Sequence, residues 1–273
     1  FQLLSQHIDL NQFIPSEFFS AFYQNIGRNR IYPLQGFLSA FILQKIFSIP
    51  TDSLLLIFLN LCKELRDFCG FSKVPDASLM SRFKHDFQPY IELMFQKMVD
   101  YTEPICQAID ASLAQMLTFD TSGIELYVTE NNPKMLHSLI RRLNTFYKNL
   151  PDVDPYQMAY TLMPSQAASC PEAKQMYING HFCYADKFAI LTNGLGIVRH
   201  ISFLDDDAFK SAHPELPVEK KPDSPVEDKS VGDSSSLVPV LTDYFSLHPD
   251  FHPDIFLGDA SFDSAELYGT LFH

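Results

Sequence analysis

Residues 116–120 read "MLTFD", and they mark the point at which the sequence pattern changes from helical to extended. Before them, apolar residues recur at three- and four-residue steps. After them come β-branched and aromatic runs such as "FCYADKFAIL" (182–191) and "IVRHISFL" (197–204). The first pattern is typical of helices that bury one face, whereas the second favours strands. The sequence therefore predicts an α+β protein, with an all-α amino-terminal part followed by a mixed sheet with helices.

The amino-terminal part, residues 1–110, has the pattern of packed helices. Helical spacing is clear in "SEFFSAFYQNI" (16–26), "PLQGFLSAFILQKIF" (33–47) and "TDSLLLIFLNLCKELRDFCGF" (51–71). The next stretch, "VPDASLMSRFKHDF" (74–87), can be capped at Asp76 or Ser78, and its early turns carry Arg82 and Lys84. We predict that Arg82 and Lys84 contact DNA as part of a helix-turn-helix-like reader, although a purely structural bundle has the same pattern.

The second part, residues 111–273, is predicted to be a sheet domain interrupted twice. A helical insertion is expected at about residues 131–180. The turn signal "NGLG" (193–196) then predicts an antiparallel hairpin over residues 182–204. A stretch at about 205–236, rich in proline, serine and charge, is typical of a solvent-exposed loop. A further strand is expected to end near Asp259.

Composition limits the class of protein. The chain has 273 residues, of which 46% are apolar, and this is ample for buried cores. Its five cysteines form no CxxC pair, a pattern expected of free thiols in a reducing compartment, so we predict a cytoplasmic protein. The longest apolar region is interrupted by Lys45 and by "PTD" (50–52), so we expect no membrane span.

The net charge of −13 argues against a nucleic-acid partner only until its distribution is considered. The excess of acidic side chains lies after residue 205. By contrast, "NNPKMLHSLIRRLNTFYKNL" (131–150) contains basic residues and no acidic one. We predict that this segment contacts DNA phosphates, although a solvated basic helix face is the simpler alternative. The predicted contacts in the sheet domain are Lys134, Arg141, Arg142, Lys148 and, in the hairpin, Lys187.

Two apolar runs end on an aspartate followed by small residues. Asp120 closes "MLTF", and Asp259 belongs to "FLGDASFD" (256–263). Open sheets commonly bind their ligands at the carboxyl ends of strands, and two converging carboxylates suit an oxygen-ligated divalent cation. The alternative is that both are turn or cap residues, because Asp before Thr, Ser or Ala makes good local hydrogen bonds.

Several segments together resemble the catalytic domain of bacterial insertion-sequence DDE transposases, which have a ribonuclease-H-like fold. They are "FDTSGIE" (119–125), "YVTENNPK" (127–134), "INGHFCYADKFAILTNGLGIVRHISF" (178–203) and "FLGDASFDS" (256–264), while "VPDASLMSRFKHDF" resembles the end of the helical domain in the same proteins. The resemblance implies that Asp120 and Asp259 are the first two catalytic, metal-binding carboxylates, holding Mg²⁺ or Mn²⁺. Asp110 competes with Asp120 for the first position.

The same resemblance implies cleavage of transposon ends and strand transfer into target DNA. The protein is therefore expected to bind double-stranded DNA, both at the transposon ends and at the target, and to form a homodimer. A later glutamate normally completes the triad. Glu266 lies too close to Asp259 for this role, and the chain ends at His273. We therefore expect a fragment without catalysis, and an inactive DNA-binding or structural remnant is the alternative function. A zinc site at His248 and His252 is not favoured, because prolines interrupt any helix there.

Overall fold

The computed structural model describes residues 9–24, 30–148, 153–164, 166–178, 180–216, 220–221, 224–228, 230–263 and 268–269. The chain forms two compact units, Phe1–Ile105 and Cys106–His273. Within the described part of the chain, none of the helices combines the length and apolar character that a bilayer crossing requires. The arrangement of elements confirms an α+β fold, with helices first and a mixed six-stranded sheet with helices after them.

In the described residues of the first unit, the regular secondary structure is helical. After a short 3-10 turn its helices are α1 (Ser16–Phe22), α2 (Leu34–Ile46), α3 (Asp52–Leu61), α4 (Lys63–Phe68) and α5 (Ala77–Ile109), the last of which crosses the boundary between the units. Local signals set the helix starts. The Thr51 hydroxyl accepts a hydrogen bond from the Leu54 amide at 3.2 Å, and the Asp76 carboxylate accepts one from the Leu79 amide at 2.7 Å. Asp76 is thus the cap of the predicted helix.

Aromatic rings form the centre of the first unit. Phe83, on α5, is stacked on Phe37 with ring centroids 4.5 Å apart. Further rings contact Phe83 within 6.1 Å, namely Phe18, Phe22, Phe41 and Phe87. Aromatic pairs at these separations add to the stabilisation that comes from burial alone. The first turns of α5 therefore supply both the core ring Phe83 and the exposed side chains next to it.

The second unit is built on a sheet of six strands. They are β1 (Met116–Glu125), β2 (Gln166–Ala167), β3 (Cys170–Ile178), β4 (His181–Asn193), β5 (Val198–Phe203) and β8 (Ile255–Leu257), while β6 (Lys220–Lys221) and β7 (Ser224–Asp228) form a separate pair. The order is β2-β3-β4-β1-β8, with β5 paired to β4 on the edge opposite β1. Among the strand pairs that the structure describes, β1–β8 is parallel and the others are antiparallel.

The predicted hairpin is confirmed as β4 and β5. Phe188 pairs with Phe203 and Leu191 pairs with His200. In the turn, the Asn193 carboxamide oxygen accepts hydrogen bonds from two backbone amides, and Gly196 has a φ of 76°. A left-handed φ favours glycine, because a Cβ atom there is crowded by the backbone. The sequence "NGLG" therefore forms the predicted turn between β4 and β5.

The helices of the second unit differ in part from the expectation. They are α6 (Ala111–Ala114), α7 (Pro133–Phe146), α8 (Pro155–Leu162), α9 (Asp207–Ala212) and α10 (Asp233–Leu247). The insertion at 131–180 is helical only up to Leu162, since 166–167 and 170–178 are strands. The stretch at 205–236 is not a simple loop either, because it contains α9, β6, β7 and the start of α10. Asp206 caps α9 through a 2.9 Å hydrogen bond from the Ala208 amide.

The two faces of the sheet differ in burial. Leu117 and Phe119 on β1 are buried, as are Cys183, Ala185 and the further alternate residues of β4 on the same face. The opposite face is open: Ile124, Ile201 and Phe203 are each more than 40% exposed. Because side chains alternate along a strand, Asp120 projects from the open face.

Candidate functional site

Asp120 does not end its strand as predicted, because the pairing with β4 extends β1 to Glu125, and Asp259 lies two residues beyond the end of the neighbouring strand β8. β1 and β8 pair in parallel, and the last pair in register is Thr118 with Leu257. Asp120 and Asp259 each come two residues after that pair along their own chain segments. Parallel neighbours run in the same direction, so positions equally far beyond a shared pair lie on the same side of that pair. The pairing therefore brings together the two segments that carry the candidate carboxylates.

A short turn fixes the segment that carries Asp259. Residues Ala260–Phe262 form a 3-10 turn, in which the Phe262 amide donates to the Asp259 carbonyl at 3.1 Å. The Phe262 ring packs edge-on against Phe119, with ring centroids 5.1 Å apart. Phe119 is the residue before Asp120, so this ring contact joins the two segments directly. The rings are buried, while both aspartates are exposed.

The donor set suits a hard divalent cation. Asp120 and Asp259 offer exposed carboxylate oxygens, and one Asp120 oxygen accepts the Thr121 amide at 2.8 Å. Asp263 lines the same small cavity as Asp259, but among the described residues the three carboxylates do not converge with all their ligand atoms within 4.8 Å of one another. Mg²⁺ and Mn²⁺ take oxygen ligands of this kind. Sequence reasoning did not select Asp263, although it ends the motif "FLGDASFD"; its spacing of four residues was the available signal.

Asp110, the competitor of Asp120, has another role. Asp110 precedes α6, and its side chain accepts a 3.0 Å hydrogen bond from the Leu113 amide, so it serves as a helix cap. Glu266 lies outside the described residues. Of the two histidines weighed for zinc, His248 is buried with its ring 5.0 Å from that of Tyr244, whereas His252 is exposed.

Lys187 has an internal partner. It is 8% exposed, its ammonium lies 2.5 Å from an Asp233 carboxylate oxygen, and it donates to the Val231 carbonyl. The Thr121 hydroxyl donates to the same carboxylate at 2.8 Å. Burial raises the pKa of Asp233, but the Lys187 and Thr121 hydrogen bonds outweigh it and leave the pKa below the ordinary value. The cluster ties the start of α10 to β1 and β4, and Lys187 is not part of an exposed surface.

A basic face runs along α7. Lys134, Arg141, Arg142 and Lys148 are all exposed, and His137 lies between the first two. Lys134, His137 and Arg141 follow steps of three and four residues, so they share one side of the helix. Ser138, both arginines, Thr145 and Phe146 line a shallow groove, and Phe146 is 78% exposed. The opposite side of α7, with Ile140 and Leu143, packs against Ala159 of α8.

The predicted cations of the first unit are exposed near the start of α5. Lys84 forms an ion pair with Asp52 at 2.8 Å and lies 5.0 Å from the centre of the Phe41 ring. The Arg82 guanidinium donates to the carbonyl of Ser78 at 3.4 Å. Both side chains are exposed, and Lys84 is held by its carboxylate partner.

Comparison with known protein families gives a match within the first unit. Residues 1–86 match a protein-family model described as a transposase domain (DUF772). The match supports a transposase-family protein. The matched residues include most of the helices of the first unit as well as Arg82 and Lys84. Neither the curated proteins nor the solved structures give a match to this chain.

Proposed function

We propose that this chain is a DDE-type transposase that binds double-stranded DNA and holds a divalent cation at Asp120 and Asp259. The observation that carries the proposal is the parallel pairing of β1 with β8, which sets both aspartates two residues beyond the same strand pair. The transposase match over residues 1–86 supports the class from a separate part of the chain. The resemblance to insertion-sequence transposases supports the same order of domains.

Asp120 and Asp259 would hold Mg²⁺ or Mn²⁺, and Asp263 is available as a further oxygen ligand. A bound cation of this type activates an attacking oxygen and stabilises the leaving oxygen of a phosphodiester. The protein residues position the cation through the strand pair and through the contact of Phe262 with Phe119. Transfer of transposon ends to a target also requires two ends to be held together, which two copies of the chain would provide.

The basic face of α7 is the proposed DNA contact of the second unit. Its four cations, Lys134, Arg141, Arg142 and Lys148, are exposed on a segment without acidic residues. Arginine and lysine neutralise phosphates without reading sequence, so this face would contribute affinity and orientation. Phe146 offers an exposed ring beside the two arginines, where it can pack against a sugar or a base. Arg82 and Lys84 are the proposed contacts of the first unit.

A non-catalytic, DNA-binding protein is the second candidate. A glutamate normally completes a DDE site, and none follows Asp259 among the described residues 260–263 and 268–269. Two aspartates alone complete the coordination of two metal ions poorly, and phosphodiester displacement requires both oxygens to be held in line. In this case the chain would bind DNA and metal without cutting.

Metal binding and DNA cleavage should be measured on the same preparations. Mn²⁺ binding can be followed by the loss of the free-ion electron paramagnetic resonance signal, with the parent chain, Asp120→Asn and Asp259→Asn. Asp110→Asn is the matched control, since asparagine also caps helices. We expect each active-site variant to weaken Mn²⁺ binding at least tenfold, because each removes a charged ligand, while Asp110→Asn leaves it unchanged.

The outcomes separate the candidates. Mn²⁺-dependent nicking of DNA by the parent chain, lost in both active-site variants, supports the catalytic proposal. Metal and DNA binding without nicking favours the second candidate. Unchanged Mn²⁺ binding in both Asp120→Asn and Asp259→Asn would show that these carboxylates are not the metal site.

A further inference from the structure

Three potential metal ligands of different chemistry converge at the far end of β1. They are Glu125, the last residue of β1, and His181 and Cys183, near the start of β4. One carboxylate oxygen, one imidazole nitrogen and the thiol sulphur all lie within 4.8 Å of one another. The His181 Nε2 atom is 3.2 Å from the Glu125 Oε2 atom. No step of the proposed transposase function uses these residues.

The strand register explains why the three side chains meet. Glu125 pairs with Ala185 across the antiparallel β1–β4 ladder. Side chains alternate along a strand, so His181, Cys183 and Ala185 project from one face of β4, and Glu125 projects from the same face of β1. His181 also pairs with Ile178 and directly follows Gly180, whose φ of 87° marks the reversal of the chain between β3 and β4.

Burial gives each ligand a distinct part of the site. Cys183 is 3% exposed and forms the inner wall, whereas the Glu125 and His181 side chains are 46% and 53% exposed and form the outer wall. A cation can therefore enter from solvent and reach the sulphur. In a tetrahedral zinc site, bonds of about 2.0–2.3 Å separate the ligand atoms by roughly 3.3–3.7 Å. The Glu125–His181 separation of 3.2 Å is close to this range, and the Cys183 sulphur lies within 4.8 Å of both ligand atoms. Rotation of the two half-exposed side chains can supply the remaining movement.

The ligand types decide the class of cation. Thiolate and imidazole are ligands of zinc and of neighbouring transition metals, whereas Mg²⁺ prefers oxygen alone. We propose that Glu125, His181 and Cys183 form a binding site for Zn²⁺ or a Zn²⁺-like divalent cation, with a fourth position open to solvent. Binding forms bonds to oxygen, nitrogen and sulphur and releases the thiol proton to solvent. The cation joins the end of β1 to the start of β4.

This site is separate from the proposed catalytic one. Glu125 is five positions after Asp120 on β1, about 17 Å away at the rise of an extended strand. The two residues also project from opposite faces, since five is an odd number of strand positions. A cation at Glu125, His181 and Cys183 would therefore link β1 to β4 and take no part in the chemistry proposed for Asp120 and Asp259.

Cobalt titration of the full chain tests the proposal. Co²⁺ reports the spectrum of zinc-type sites, and a cysteine ligand gives an intense thiolate-to-cobalt charge-transfer band. We expect this band to saturate at one cobalt per chain and to be reversed by one equivalent of Zn²⁺. Cys183→Ser should abolish the band, and the matched control Cys170→Ser, in β3, should retain it.

Cys183 is buried, so Cys183→Ser could misfold. Variants of the two half-exposed ligands test the site independently of that risk. Glu125→Gln and His181→Gln should each weaken Zn²⁺ binding at least tenfold, while Glu172→Gln and His137→Gln, which change exposed side chains outside the cluster, leave it unchanged. Asp120→Asn should also retain the cobalt band, which separates this site from the catalytic proposal. Absence of a charge-transfer band in the folded parent chain, or its persistence in Cys183→Ser, would reduce the cluster to a Glu125–His181 hydrogen bond.

Discussion

Replacing Arg141 and Arg142 with alanine should reduce both the DNA affinity of the chain and the salt dependence of that affinity. Both guanidinium groups are exposed on the basic face of α7, beside the groove that contains Phe146. A cation that neutralises a phosphate releases condensed counterions, and this release makes binding weaker as salt is added. The double substitution removes two such contacts without altering the buried side of α7, where Ile140 and Leu143 pack.

The magnitude follows from the number of contacts. Each phosphate contact contributes about 0.9 to the slope of log K against log salt concentration on duplex DNA, so two contacts contribute about 1.8. Between about 50 and 200 mM salt, the parent chain should therefore lose about tenfold more affinity than the variant. At the lower salt concentration the difference in affinity between the two proteins is greatest.

Fluorescence anisotropy of a labelled duplex, measured at four or more salt concentrations, gives both slopes. The matched control is Lys45→Ala with Lys63→Ala, which removes the same charge from exposed positions outside the proposed contacts. This control corrects for the change in net charge. Equal slopes for the parent and the Arg141/Arg142 variant would mean that α7 presents a solvated basic face without contact to DNA.

Two further predictions concern stability. Phe83→Ala should lower the free energy of unfolding by about 3–5 kcal/mol, because Phe83 is the central ring of the first unit. The control Leu61→Ala, at an exposed position, should change it by about 0.5 kcal/mol or less. Urea titration followed by circular dichroism measures both values. Burial lowers the pKa of His200 to about 4; Asp243 opposes this with a smaller effect, and His248 adds a smaller lowering. The unfolded chain therefore binds a proton first as the pH falls from 6.5 towards 4, and stability declines by at most about 3 kcal/mol. His200→Gln should flatten this decline while His85→Gln, at an exposed position, should not; an equally steep decline in both would mean that other groups cause the acid sensitivity.

Local signals made much of the fold predictable from sequence. The β4–β5 hairpin follows from a turn whose glycine has a left-handed φ, and the start of α5 follows from the Asp76 cap. Asp120 and Asp259 could be chosen because each ends a short apolar run. Their strand pairing, by contrast, depends on contacts between distant segments, and it was expected through the resemblance to transposases as well as through the pattern.

The elements that the sequence pattern did not predict have weak local signals. β3 contains Pro171 and two charged residues, Glu172 and Lys174, which disfavour strands, and its pairing with the first half of β4 overrides that preference. The start of α10 contains three serines, and Pro239 lies inside the helix, so the segment has the composition of a loop. Lys187 has a partner, Asp233, that no local pattern connects to it. In each case the deciding contact is distant in sequence.

The parallel pairing of β1 with β8 also implies an order of assembly during folding. Its partner residues are about 140 positions apart, whereas Thr192 and Val198 in the β4–β5 hairpin are neighbours across a turn. Closing the longer loop costs about 3 kcal/mol more chain entropy, so the hairpin and the β1–β4 ladder are expected to form first. β8 has only three residues with which to compensate this cost. The edge that brings Asp120 and Asp259 together is therefore expected to form late on the folding pathway, after the rest of the sheet has provided a template for it.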